Sequence, residues 1–206
     1  MATNFRSTTL QPAQEMVQTA LMGNPADPDS LAAFGTLAAR STGDYDITEG
    51  IYKAVLEKEP FHLATLCNYA LLLQGVRRNY SKAWSLLQTA IRFSPGYGPA
   101  LTQAALLLHT VFDRPGEAAV LYQRALRAQP DHSSTLVNFG HLVWRWKHDV
   151  RRAQSLFQHA LHVNRDDPVA LLSYGKLLAE EKSQIDKALH MFRRARYARQ
   201  RDLRKM

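Results

Sequence analysis

Residues 60–95 read PFHLATLCNYALLLQGVRRNYSKAWSLLQTAIRFSP, and the apolar spacing in this stretch decides the fold. Leu63, Leu66, Tyr69, Ala70 and Leu73 recur at three- and four-residue steps, which places them on one face of a first helix, helix A. A break follows over Gly75 to Asn79. Ala83, Leu86, Leu87, Ala90 and Ile91 then form a second amphipathic face, helix B, closed by Phe93-Ser94-Pro95. The residue before a proline is pushed away from helical geometry, so Ser94-Pro95 ends the unit. The stretch reads as a helical hairpin.

The same hairpin recurs every 35 residues. Ala20, Val55, Ala90, Ala125, Ala160 and Ala195 form one column, and Tyr52, Leu87, Tyr122, Phe157 and Phe192 another. Ala83, Ala118, Ala153, Ala188 and Pro25, Pro60, Pro95, Pro130 add two more. An alanine column lets helices approach closely while the larger column fills the space beside it. Units that cannot bury a core alone do so by stacking, so the fold class is an all-α, right-handed solenoid of antiparallel helical hairpins. The expected organisation is a flexible N-terminus over 1–10 and an array over 11–197. A leading half-unit (11–25) opens the array as its cap, followed by units of about 26–60, 61–95, 96–130, 131–165 and 166–197. A basic tail, 198–206, continues the last helix.

Boundary residues support this phasing. Asp113 before Pro115 and Asp167 before Pro168 read as capping carboxylates, and Asp149 and Ser183 stand at equivalent helix starts. Arg165 interrupts the proline column and Pro168 supplies the break. Because Ala104-Ala105 makes the third unit's helix A thin, Trp84 or a neighbouring leucine is expected to fill the gap.

The array resembles tetratricopeptide repeats (TPR), whose helix A carries an N-L-G-like segment and whose helix B carries A-x3-F/Y-x2-A-L-x3-P. Helix A matches as Asn68-Tyr69-Ala70, Asn138-Phe139-Gly140, Ser173-Tyr174-Gly175 and Phe34-Gly35. Helix B matches as Ala118, Tyr122, Ala125-Leu126, Pro130 and again from Ala153 to Leu161. The period is 35 where the family's is 34, and the extra residue falls in the turn between helices A and B. The resemblance implies a protein-protein interaction scaffold or adaptor that binds a peptide or helical segment in a concave groove lined by helix A. By position, that groove takes Ala64, Cys67, Leu71 and Gln74, then Thr102, Leu106 and His109. Val137, His141, Trp144 and Arg145 follow, with Leu172 and Lys176 in the fifth unit. The family's carboxylate clamp for chaperone tails needs cations where this chain has Cys67, Leu71, Thr102 and Leu106, so no clamp is expected, because a carboxylate must be paired where it loses water. An amphipathic helix or extended apolar segment fits better.

Composition narrows the classes further. Hydrophobic residues make up 46% and charged residues 21%, which places the chain among folded globular proteins rather than disordered ones. The single cysteine, Cys67, precludes an intramolecular disulfide and reads as a buried thiol, consistent with a reducing compartment. No apolar run approaches the ~20 residues of a membrane span, and Met1 to Gln14 lacks a signal-peptide core. Cytoplasm or nucleus is therefore expected, with organellar import left open. The eight histidines lack a partnering Cys or carboxylate set at metal spacing, and neither a phosphate loop nor a nucleophile elbow is present. The sequence reads as non-catalytic, without cofactor or metal.

Net charge is +8, and the stretch from Lys182 to Met206 holds nine basic and two acidic residues. Arg193, Arg194, Arg196, Arg199, Arg201, Arg204 and Lys205 form this basic patch. Leu189, Phe192 and Ala195 are expected to face the array while the arginines project outward. Three readings stand: a solvated cap, contact with RNA or an acidic partner, or a nuclear-import signal. An RNA-associated helical-repeat protein is the alternative function, although a phosphate-tracking surface needs cations in every unit and these concentrate at one end. Trp144-Arg145-Trp146 is open to two readings as well: an aromatic-cationic contact patch, or one tryptophan packed between hairpins and the other over a turn.

Overall fold

The computed structural model describes residues 28–41, 43–180 and 184–203, without the side chains of residues 30, 33, 34, 37, 38, 40, 41, 202 and 203. The expected half-unit at 11–25, the cap Ser183 and the patch residues Arg204 and Lys205 lie outside the described residues. Among the described residues ten α-helices follow one another: α1 Pro28–Ser41, α2 Tyr45–Lys58, α3 Leu63–Leu72, α4 Tyr80–Phe93, α5 Gly98–Thr110, α6 Pro115–Ala128, α7 Ser133–Lys147, α8 Val150–Val163, α9 Pro168–Glu180 and α10 Ile185–Leu203. A π-helical turn, Leu73–Arg77, extends α3. The fold class is all-α, built from antiparallel hairpins of the solenoid type. Two compact units divide within α5, one over 1–103 and one over 104–206. In the first, α1 packs on α2, α2 on α3 and α3 on α4, with α1 also touching α3. In the second, α6 to α10 pack in the same serial way and α7 touches α9.

The hairpin interior is where the repeat columns lie. Ala83, Ala118 and Ala153 are fully buried, as are Ala90 and Ala160, and Leu87, Tyr122 and Phe157 fill the space beside them. Opposite the large column, helix A carries Gly35, Ala70, Ala105, Gly140 and Gly175, again at a step of 35. A Cβ at Gly140 would meet the Phe157 ring at 2.6 Å, and one at Gly175 would meet Phe192 at 2.6 Å. In the second unit, the Tyr122 ring also packs against Phe139 at 5.7 Å, while Leu107 and Leu108 are buried. Ala104 and Ala105 are themselves fully buried.

The turn between helices A and B explains the period. Gly43, Arg78, Asp113 and His148 all adopt left-handed backbone, with φ of 66°, 55°, 51° and 53°, and they too are 35 apart. The residue after each of the last three closes a seven-residue loop, its N–H bonded six positions back: Asn79 N–H donates to Leu73 C=O (3.0 Å), Arg114 to Leu108 (2.9 Å) and Asp149 to Val143 (3.4 Å). The loop is one residue wider than a Schellman ending, whose N–H reaches five positions back, and it likewise satisfies a carbonyl that the helix leaves open. The extra residue of the repeat thus falls in the A–B turn, as the sequence spacing indicates.

Helix B starts on a side-chain cap where one is available. Asp44 accepts from the Asp46 and Ile47 amides, Asn79 from Lys82 and Asp149 from Arg152. Asp113 does not cap α6, contrary to expectation, because it occupies the left-handed turn position one residue too early. Arg114 takes the cap position without a capping bond and pairs bidentately with Glu117 at 2.6 and 2.7 Å, beside Pro115 in the first turn. Asp167 does cap α9, accepting from Val169 and Ala170.

Candidate functional site

In the first unit, helix A residues of α1, α3 and α5 set the candidate surface. Asn68 donates to the Thr36 hydroxyl at 3.2 Å, and Thr36 shares a hydrogen bond with the Tyr52 hydroxyl at 3.0 Å, which ties α3 to the α1/α2 hairpin. Ala64 is half-buried and lines a cleft described below. Cys67 and Thr102 are buried, so neither presents a face to a partner. Burial pushes the Cys67 thiol up to about 12, which keeps it protonated and unreactive at neutral pH. Leu71, by contrast, is 53% exposed. Gln74 stands three positions after Leu71, in the π-helical turn that extends the helix. The Gln74 Nε2 and the Gln103 Oε1 are buried and have no hydrogen-bond partner among the described residues.

The second unit carries the more polar part. Leu106 and His109 of α5 are half-buried, and His109 Nδ1 lies 3.2 Å from the Tyr122 hydroxyl and 3.2 Å from Ala105 C=O. Val137 is buried. His141 of α7 lies 2.8 Å from Ser173 Oγ through Nε2. Because Ser173 spends its own proton on Val169 C=O (2.7 Å), its oxygen accepts from His141, which places the imidazole proton on Nε2. Burial, with Lys176, Arg145 and His109 adding their charge, holds His141 below the ordinary histidine range. Trp144 is 5% exposed and donates from Nε1 to Glu180 at 3.1 Å, with the Arg145 guanidinium 4.6 Å from its ring. Trp146 is 44% exposed, lies over the start of α6 at Gly116, and is covered by Lys147 at 5.2 Å. Leu172 and Arg145 are exposed, and Lys176 lies beside them on α9.

The basic residues of α10 divide by what they touch. Arg194 donates to Arg165 C=O at 2.5 Å and Arg201 pairs with Asp166 at 2.9 Å, pinning the helix to the α8–α9 turn. Arg193, Arg196 and Arg199 have no ion pair among the described residues, and Arg196 and Arg199 are exposed. The buried side of α10 is Ala188, Ala195 and Ala198, with Phe192 partly buried; Leu189, expected to face inward, is 46% exposed. Leu189 stands one position past Ala188, and a step of 100° carries it out of the packed stripe.

Two features escape a reading by columns. Gln103 occupies the Asn68 and Asn138 position, and its significance lies in the unpaired oxygen rather than in its type. Phe61 and Phe93 stack at 4.9 Å while half exposed, and with Ala64, Tyr97 and the His62–Asp29 pair they line a cleft of about 630 Å³. Both flank boundary prolines, which is the only trace they leave in the sequence. Among the described residues no cluster of His, Cys, Asp and Glu is placed to hold a metal, and no helix is long and apolar enough to cross a membrane.

No family model and no curated protein matches the sequence. Solved structures do match in shape. TTC0263, a thermophilic TPR protein of Thermus thermophilus, superposes with a TM-score of 0.70 at 16% identity, covering 86% of this chain and 94% of that one. PilF of Pseudomonas aeruginosa gives a TM-score of 0.70 at 19% identity, over 82% and 76% of the two chains. YrrB, described as a TPR protein with an unusual peptide-binding site, gives 0.57 at 19% identity over 88% and 91%. Likeness in shape at these identities, joined to the 35-residue columns, establishes that this chain has the tetratricopeptide-repeat fold.

Proposed function

We propose that the chain is a non-catalytic protein-interaction scaffold whose helix A surface takes an extended or helical peptide segment. The carrying observation is in the first unit: exposed Leu71 accompanied by one unpaired buried donor, Gln74 Nε2, and one unpaired buried acceptor, Gln103 Oε1. A buried polar group left unpaired costs about 1–3 kcal/mol, so a rotamer change that turns either amide outward to a ligand recovers that cost. A peptide backbone offers C=O groups to Gln74 Nε2 and N–H groups to Gln103 Oε1 once those side chains turn outward, while an apolar side chain covers Leu71. The unusual peptide-binding site attributed to YrrB is consistent with this use of the fold.

The test is peptide selection by phage display on the full chain, followed by NMR mapping of the selected peptide. Shifts centred on Leu71, Gln74 and Gln103, abolished by Leu71→Asp with the helical circular dichroism intact, are expected. Peptides that bind equally well to Leu71→Asp would overturn the reading.

A further inference from the structure

We infer that the outer face of the α9/α10 hairpin docks an acidic amphipathic helix from a partner protein, through Leu172 and Lys176 of α9 and Ile185, Leu189, Arg193 and Arg196 of α10. The 35-residue step shows what this face is for. Its counterparts one step earlier are Val137, His141, Val150, Gln154, Gln158 and Leu161, of which His141, Gln154 and Gln158 hold α9 by hydrogen bonds. Gln154 and Gln158 both donate to the Tyr174 hydroxyl of α9, at 3.2 and 2.9 Å, and His141 donates to Ser173 of α9. Val137 is 2% exposed there, whereas Leu172 is 39% exposed.

The α10 residues form one stripe, since steps of four, four and three return to the same side of a helix. Ile185 and Leu189 are 52% and 46% exposed, and they lead directly into Arg193 and Arg196. Compared with the earlier step, the polar readers have changed in a consistent direction: Gln154 becomes Leu189, Gln158 becomes Arg193 and His141 becomes Lys176. Two amide donors that serve a neutral hydroxyl in the earlier step are replaced here by an apolar side chain and a cation. Lys176, Arg193 and Arg196 have no ion pair among the described residues. The complement is a helix with an apolar stripe beside carboxylates. A phosphate backbone would leave Leu172, Ile185 and Leu189 unused.

The probe is a helix-stapled, fluorescein-labelled peptide of the α9 sequence, residues 168–180, carrying Ser173→Glu and Tyr174→Glu, titrated with the full chain. Its counterpart carries Ser173→Lys and Tyr174→Lys. Binding of the acidic peptide at least tenfold tighter than the basic one, lost with Leu189→Asp and inverted by Lys176→Glu with Arg193→Glu, is the expected result. All three positions lie outside the buried core, so circular dichroism should show the variants folded. Equal affinity for the two peptides would overturn the inference. So would self-association abolished by Leu189→Asp without acidic-peptide binding, which assigns the face to a second copy. Binding of an RNA oligonucleotide that falls with Arg193→Glu but ignores Leu189→Asp, again without acidic-peptide binding, would assign it to nucleic acid. Leu71→Asp should leave the acidic peptide bound, which separates this face from the helix A surface of the first unit.

Discussion

A Cβ built on Gly140 would lie 2.6 Å from Cε1 of Phe157, so the ring occupies the space that any other residue's side chain would need. The same relation holds between Gly175 and Phe192 at 2.6 Å, and more loosely between Gly35 and Tyr52 at 3.0 Å. Where the opposite residue is Leu87 the helix A position is Ala70, and where it is Tyr122 the position is Ala105, so in that unit the aromatic ring accommodates a methyl group. At Gly140 and Gly175 the glycine is therefore one half of a size match whose other half sits 17 positions on.

That match makes a coupled prediction. Gly140→Ala should destabilise the chain by about 1–3 kcal/mol, because the buried ring must leave its rotamer or the helices must part. In the Phe157→Leu background the same change should cost much less, as Ala70 beside Leu87 already shows. Urea denaturation of the four chains gives the coupling energy; additive effects would sink the size-match account.

Three turns hold an ordinary side chain at the left-handed position. Arg78, Asp113 and His148 have φ near 51° to 55°, where a Cβ costs roughly 1–2 kcal/mol. His148→Gly and Arg78→Gly should each stabilise by about 0.5–1 kcal/mol, the relief being partly offset by a more flexible unfolded chain. Gly43→Ala should act in the opposite sense. Thermal melts that show His148→Gly neutral or destabilising would contradict this.

How much is legible in the sequence follows from which contacts repeat. The alanine and aromatic columns identify the hairpins because every unit solves the same packing problem, and the left-handed turn shows as one extra residue. Its occupants, Gly43, Arg78, Asp113 and His148, share no chemistry, so Asp113 reads as a cap when it is a turn residue. Leu189 misleads for another reason: apolar spacing cannot tell a packed stripe from a neighbouring open one. The partnerless amides of Gln74 and Gln103 are invisible to any column, since what distinguishes them is a missing contact.

The Glu49 network is a further relation without a repeat. Glu49 accepts from Lys53 at 2.8 Å, from the Tyr69 hydroxyl at 2.8 Å and from Arg77 at 3.1 Å, while Arg77 also reaches Asp46. These donors, Lys53 foremost, hold the carboxyl at about 2 against an ordinary 4.5. A depressed carboxylate contributes stability that is complete above about 4.5 and lost as pH falls towards 2. Glu49→Gln should therefore destabilise at neutral pH by about 1.5–3 kcal/mol, the range of hydrogen bonds to charged groups. It should also flatten the acid limb of the stability curve between about pH 4.5 and 2. An unchanged acid limb would remove Glu49 from the network's energetics.

His141 titrates against its surroundings. Ser173 accepts its Nε2 proton, Trp144 stacks at 6.1 Å, the Phe157 ring meets it at 5.3 Å, and Lys176, Arg145 and His109 supply only positive charge. Burial is the larger cause of its lowered pKa and the cations add to it. Its proton is therefore bound more weakly in the folded chain than in the unfolded one, where it leaves near 6.5. The resulting stability is complete above about 6.5 and declines as pH falls through that value towards the folded pKa. Lys176→Met removes one of the cations and leaves the half-buried ring itself unchanged, so it should move the His141 pKa upward, and Arg145→Met should do the same. An acidic ligand bound beside Lys176 would act in that direction too, taking up a proton as it binds. NMR titration of the His141 ring measures all three; a histidine that titrates at or above about 6.5 in the unliganded chain would refute the assignment.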